Sequence, residues 1–273
     1  MNSGLFKAIK FLLVPVLLWQ GRQVRRSALR LPEAEGPREG VAGTGRVKLR
    51  ILIVGDSSAA GVGAKNQIQA LAGRLSEALA QRLHGAVVWQ LIARSGDSTR
   101  SSLAAVRKLS LHPADVMVTA LGLNDVIAQV PIPTWLAQLD KLDRAAARRA
   151  GIKHTVHTGI PPVHAFPMLP NPLRWVLGTD AQAYNQALSA WSDRWSERWW
   201  LPVPIEPDIP PPGNDSSVLM AEDGFHPGPA AYAMWAEQLA GLIVHEIVPR
   251  LPKTVPTRRS RRLEAQDTQP LDL

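Results

Sequence analysis

The 273-residue sequence contains no cysteine, which excludes disulfides, thiolate metal sites and a cysteine nucleophile. It also lacks a Gly-Lys-Ser/Thr phosphate loop. Gly61-x-Gly63 is missing the third glycine of a dinucleotide fingerprint and stands at the wrong distance from the preceding apolar run. His154 and His157 have no cluster of carboxylates around them, so a strand or surface role is expected for them rather than a metal site. No cofactor and no metal are therefore expected. There is no internal repeat.

A long apolar run is missing as well. The stretch Leu5 to Trp19 is interrupted by Lys7 and Lys10, and its unbroken part, Phe11 to Trp19, is nine residues with Pro15 inside it. About 20 apolar residues are needed to span a bilayer. No small-x-small cleavage site follows; the chain runs into Gln20, Gly21 and then Arg22, Arg25 and Arg26. Two readings of residues 1–31 stay open. One is an interfacial helix whose basic flank sits near anionic lipid; the other is a helix packed on the protein's own core. An uncleaved membrane anchor stands behind both. The location expected is cytoplasmic or membrane-associated rather than secreted.

The net charge of +8 is uneven along the chain. Residues 1–46 carry eight Lys/Arg against three Asp/Glu, residues 250–273 carry six against three, and residues 47–249 have 17 of each. The excess lies on the ends, so no nucleic-acid partner is expected for the folded part. Residues 32–46, rich in proline, glycine and charge, read as a linker. Residues 47–249 read as the folded domain and 250–273 as a disordered tail.

Within 47–249, short apolar runs alternate with helical spacing. Strands are expected at Leu49–Val54, Val87–Ile92, Asp115–Leu121 and His154–Thr158. Helices are expected at 64–83, where Ile68, Leu71, Leu75, Leu79 and Leu83 share a face, and at 99–109, 133–150, 180–200 and 229–247. This alternation implies an α/β fold with a parallel sheet covered on both faces. In such a sheet the site lies beyond the C-terminal strand ends.

Those ends carry chemistry. After the first strand comes Gly55-Asp56-Ser57, after the second Ser95-Gly96-Asp97, after the third Gly122-Leu123-Asn124-Asp125, and just before the last helix Asp223-Gly224-Phe225-His226. A serine hydroxyl becomes nucleophilic when a base takes its proton, and His226 suits that task. Asp223 can bond the other ring nitrogen and fix the tautomer. The backbone N–H groups of Ser57 and Gly96 and the amide of Asn124 can hold an oxyanion; losing one such donor typically costs about 3 kcal/mol. Glycine at 96 allows main chain to approach substrate closely. Asp56 and Asp125 read as hydrogen-bond acceptors that fix loops.

These four blocks, in this order, resemble the SGNH/GDSL hydrolases, in particular bacterial lysophospholipase-like esterases, over roughly residues 48–245. Ser58 departs from the leucine of the family name at a position that performs no chemistry. The resemblance implies a flavodoxin-like three-layer α/β/α sandwich with a central parallel sheet of about five strands. It also implies a Ser57–His226–Asp223 triad and an oxyanion hole of Ser57, Gly96 and Asn124. The expected activity is hydrolysis of carboxylic esters, on lysophospholipid or other acyl esters. The alternative is a non-catalytic ligand- or partner-binding module of the same fold at a membrane surface.

Two further features bear on substrate. Residues 160–178, with five prolines, Phe166, Met168, Leu169 and Trp175, read as an apolar cap in which Phe166 and Trp175 line the substrate pocket. Trp191, Trp195 and Trp199, four apart, read as one helical stripe, a packed face in preference to an acyl platform.

Overall fold

The structure, a computed structural model, describes residues 3–203 and 219–252. Two N-terminal helices, α1 (Ser3–Leu12) and α2 (Val14–Ser27), precede a short strand β1 (Glu39–Ala42). Then follow β2 (Val47–Gly55), α3 (Leu71–Leu83), β3 (Ala86–Ala93), α4 (Thr99–Lys108), β4 (Val116–Ala120), α5 (Leu123–Ile127) and α6 (Ile132–Ala150). The rest comprises β5 (His154–Thr158), α7 (Leu173–Ser192), β6 (Arg198–Leu201) and α8 (Pro229–Leu242). The six strands form one sheet in the order β1-β3-β2-β4-β5-β6, parallel throughout except that β1 pairs antiparallel with β3.

Alternation along β2 explains the layers. Leu49, Ile51 and Ile53 face one apolar cluster, which includes Leu75 and Leu79 of α3 and Tyr232, Trp235 and Leu239 of α8. Leu52 and Val54 face another, which includes Leu103 of α4, Trp135, Leu139 and Leu142 of α6 and Tyr184 and Leu188 of α7. Successive strand residues point to opposite faces, so a run buried on both needs apolar residues at nearly every position. The chain leaves β2 towards β3 and then crosses to β4 on the other side of β2. The crevice where this direction reverses opens at the C-terminal ends of β2 and β4.

Three sequence expectations change. Residues 32–46 are not a free linker along their whole length. Ala34 is buried, Glu35 bridges to Asn66, and Glu39–Ala42 adds an edge strand. The helix expected from residue 64 starts at Leu71, because Gln67 turns inward and donates to the carbonyls of Ala34 and Ala60 while its N–H donates to Glu35. Ile68 consequently points outward. The tryptophan stripe also breaks up. Helix α7 ends at Ser192 and Trp199 lies in β6, while Trp191 and Trp195 stack on the guanidinium of Arg198 at 4.0 and 5.1 Å. The tail expected from residue 250 lies, from 253 onward, outside the described residues.

Helices α1 and α2 meet at a 66° bend, and no single described helix is long and apolar enough to cross a membrane. One side of the pair packs on the domain. Phe6 meets Trp175 edge to face, Lys10 pairs with Asp180 at 2.5 Å, and Leu17 and Val24 touch the α6–α7 side of the core.

Candidate active site

Ser57 sits in the turn that follows β2, where Ala60 N–H donates to the Asp56 carbonyl and Val62 N–H to the Ser57 carbonyl. This tight turn ends at Gly63, which has φ +93°; a Cβ there would lie 2.3 Å from the Pro227 carbonyl oxygen. Only glycine lets the Ser57 loop approach the His226 loop this closely. The His226 loop is itself braced by the Met220–Pro227 bridge and by Ala221 N–H donating to the His226 carbonyl, before α8 begins with Pro229 at its first turn.

The result is a continuous hydrogen-bonded series. His226 Nε2 lies 2.9 Å from Ser57 Oγ, and His226 Nδ1 lies 2.6 Å from Asp223 Oδ2. The other carboxylate oxygen of Asp223 accepts the backbone N–H groups of Phe225 and His226, both at 3.0 Å. Burial alone would raise the Asp223 pKa, but the hydrogen bonds from His226 and Phe225 outweigh it and hold the carboxyl below its ordinary value. An ionised carboxylate can only accept, so Nδ1 must carry the proton. Nε2 is then left to accept from the serine hydroxyl.

The other two blocks meet this series from the side. Asn124, in the first turn of α5, directs its amide nitrogen to the Asp97 carbonyl at 2.9 Å and to Asp56 Oδ2 at 3.4 Å. It thus ties together the loops after β2, β3 and β4. Gly96 is exposed, with φ +83° and open space where a Cβ would stand. Its glycine is required by backbone conformation rather than by crowding. Asp56 accepts from the Ser58 N–H at 3.0 Å and the Ser58 hydroxyl at 2.7 Å. Burial pushes the Asp56 carboxyl up to about 6, against the opposing pull of those hydrogen bonds and of His226. Asp125 is fully buried and accepts from the N–H and hydroxyl of Thr99, anchoring the start of α4. Both aspartates fix loops, as the sequence reading expected.

The Ser57 hydroxyl opens on a cleft lined among others by Leu123, Ile160, Phe166, Phe225 and Trp235. Phe166 is 1% exposed and meets Phe225 edge to face, and Phe225 meets the His226 ring in the same way. Trp175 does not line the cleft. It lies on the outer side of α7, 37% exposed, against Phe6. The cap segment ends before α7, so a residue one turn into that helix points away from the site. Among the described residues no group of His and carboxylates is placed to hold a metal ion. His157 is instead buried between Thr119, at 2.9 Å, and Asp143, at 3.3 Å.

One pair escaped the sequence reading. Glu33 accepts the Ser95 N–H at 2.6 Å and pairs with Arg38, whose guanidinium also donates to the Ala93 carbonyl at 2.9 Å. This clamp holds the loop that carries Gly96. Both residues fall in the stretch taken for a linker, where charge reads as a sign of solvation.

The model of the GDSL-like lipase/acylhydrolase family matches residues 53–234. The chain belongs to that family. It is accordingly an enzyme that hydrolyses ester bonds, and the alternative of a non-catalytic module falls away. No curated protein matches it in sequence. Among solved structures it is similar to TesA, with a TM-score of 0.54 and 21% identity over 71% of this chain and 97% of that one. It is also similar to the lipase Lip_vut3 from a goat rumen metagenome, with a TM-score of 0.52 and 17% identity over 71% and 96%. The inhibitor-bound aryl esterase of M. smegmatis aligns with a TM-score of 0.51 and 15% identity over 73% of this chain and all of that one. These likenesses concern the fold. The GDSL match contains the Ser57, Gly96, Asn124, Asp223 and His226 loops, all within one acylhydrolase unit.

Proposed function

We propose that the enzyme cleaves carboxylic esters with apolar acyl groups, lysophospholipid-like esters among them, using Ser57 as nucleophile, His226 as general base and acid, and Asp223 as the group that orients it. The observation that carries this reading is the Asp223–His226–Ser57 hydrogen-bonded series at the mouth of an apolar cleft. His226 Nε2 takes the hydroxyl proton as Ser57 Oγ bonds to the ester carbonyl carbon. The carbonyl oxygen gains the negative charge, and the N–H groups of Ser57 and Gly96 with the amide of Asn124 are the donors assigned to it. The tetrahedral species collapses, and the alkoxide leaves with the proton from His226. Water, deprotonated by His226, then attacks the acyl-Ser57 ester, releasing the acid and restoring the hydroxyl.

The residues lining the cleft favour an acyl chain over a sugar. Ile160, Phe166, Phe225 and Trp235 offer apolar surface worth roughly 0.8 kcal/mol per buried methylene. The test is hydrolysis of p-nitrophenyl esters of graded chain length by the wild type and Ser57→Ala. The expected result is turnover that improves with chain length until the cleft is filled, and loss of turnover in the variant. Equal turnover by the two proteins would defeat the assignment of Ser57.

A further inference from the structure

Helices α1 and α2 present two faces of different character. The inward face is held tightly. Gln20 is buried, and its side-chain amide donates to the Asn171 carbonyl at 2.7 Å and accepts from the Leu173 N–H at 3.0 Å. With the Phe6–Trp175 contact and the Lys10–Asp180 pair, this fixes the helices to the start of α7. It also fixes them to the end of the segment 160–172, whose Ile160 and Phe166 line the cleft.

The outward face is apolar and uncovered by any described residue. Phe11 is 78% exposed, Leu12 76% and Trp19 62%, and Leu5, Val14, Val16 and Leu18 are exposed beside them. These seven make up half of the large apolar side chains exposed on the described molecule, gathered within fifteen residues. Contiguous apolar surface of this kind marks a contact site. Its flank identifies the occupant. Residues 1–32 contain Lys7, Lys10, Arg22, Arg25, Arg26 and Arg30 and no Asp or Glu. Lys7, Arg22, Arg25 and Arg26 are exposed and form no ion pair with a described carboxylate. A second copy of the chain meeting the same face would bring these like charges together. An anionic bilayer, apolar inside and negative at its surface, satisfies both the apolar side chains and the arginines.

We infer that the outward face of α1 and α2 lies in the interface of an anionic membrane and holds the cleft beside it, so that ester substrates are drawn from the lipid. The docking stands on the helices alone; only the supply of substrate rests on the proposed hydrolase reading. The helices bend by 66° at Leu13 and their inner face is packed on the domain through Gln20 and Lys10, so the proposed docking lays both along the surface. The Gln20 bonds link the docked helices directly to the cap segment.

The experiment is co-sedimentation of the full chain with phosphatidylcholine vesicles, with and without phosphatidylglycerol. Wild type should bind the mixed vesicles far more strongly, and added salt should weaken that binding. A Phe11→Asp/Trp19→Asp variant should lose binding to both. An Arg22→Gln/Arg25→Gln/Arg26→Gln variant should bind the anionic vesicles about a hundredfold more weakly, since each basic residue near such a surface contributes roughly fivefold. All these side chains are exposed, so the unfolding midpoint should not move. Vesicle binding is read without turnover, so its outcome is separate from that of the ester assay. Failure of wild type to bind anionic vesicles overturns the inference. Undiminished binding by the arginine variant does so too, as does a dimer in solution that Phe11→Asp dissociates without any vesicle binding.

Discussion

Asp56→Asn should change how stability depends on pH, by an amount the structure sets. The Asp56 carboxyl is buried and titrates at about 6 in the folded chain, against 3.8 in the free residue. The folded state therefore holds this proton more tightly than the unfolded state does. Below about pH 4 both states are protonated and no charge is buried. Between about pH 4 and 6 the unfolded chain ionises first, so stability falls as pH rises. Above about pH 6 both states are ionised and the full cost persists. About two pH units at about 1.4 kcal/mol each is about 3 kcal/mol. Asparagine buries no charge. It keeps a carbonyl for the Ser58 N–H and hydroxyl, but its amide would face the Asn124 amide, now 3.4 Å from Asp56 Oδ2, donor against donor. That conflict costs roughly 1–3 kcal/mol at every pH. The stability of the variant minus that of wild type should therefore rise by about 3 kcal/mol from about pH 4 to about pH 7, from a negative starting value. Urea unfolding followed by the fluorescence of the nine tryptophans, at steps of pH, measures it. A difference that is flat with pH, or falls, would refute the reasoning.

Other outcomes follow from the same geometry. Asp223→Asn places an amide where Asp223 Oδ2 now meets His226 Nδ1 at 2.6 Å, which favours the wrong tautomer; kcat should fall about 10⁴-fold with KM little changed, in steady-state ester hydrolysis. Asn124→Ala removes one proposed oxyanion donor and should cost about 10²–10³ in kcat. Glu33→Gln loosens the Ser95–Gly96 loop without touching substrate; kcat should fall by about ten- to a hundredfold while Ser57 still reacts with a phosphonate, and a burst-phase measurement separates the two. Phe166→Leu should shift chain-length preference on a graded ester series, whereas Trp175→Leu should not, because Phe166 lines the cleft and Trp175 faces Phe6.

The fold was legible where burial alone decides structure. Strands β3 and β4, and β2 from Ile51 onward, are apolar nearly throughout, because both faces are covered, and such runs announce themselves; β5, His-Thr-Val-His-Thr, is buried although mostly polar. Three of the four blocks follow β2, β3 and β4, where topology places them at one edge before any distance is known; the fourth precedes α8. Strand β1 could not, because Glu-Gly-Val-Ala is half exposed and owes its conformation to backbone pairing with β3, which composition does not record. Strand β6 was hidden by Trp199, whose spacing from Trp195 mimics a helix although the helix has already ended at Ser192. The Glu33–Arg38 clamp was missed for the same reason as β1: its value comes from a loop 62 residues away. Trp175 and Phe166 looked alike in an apolar segment. Only the start of α7 between them separates a cleft wall from an outer face.

The most direct test is to treat the folded enzyme with a fluorophosphonate and map the modified peptide by mass spectrometry, beside Ser57→Ala and His226→Ala. The account predicts a single phosphonyl adduct on Ser57, absent from Ser57→Ala and formed far more slowly in His226→Ala. A folded wild type that takes no adduct, or takes it on another residue, would contradict it.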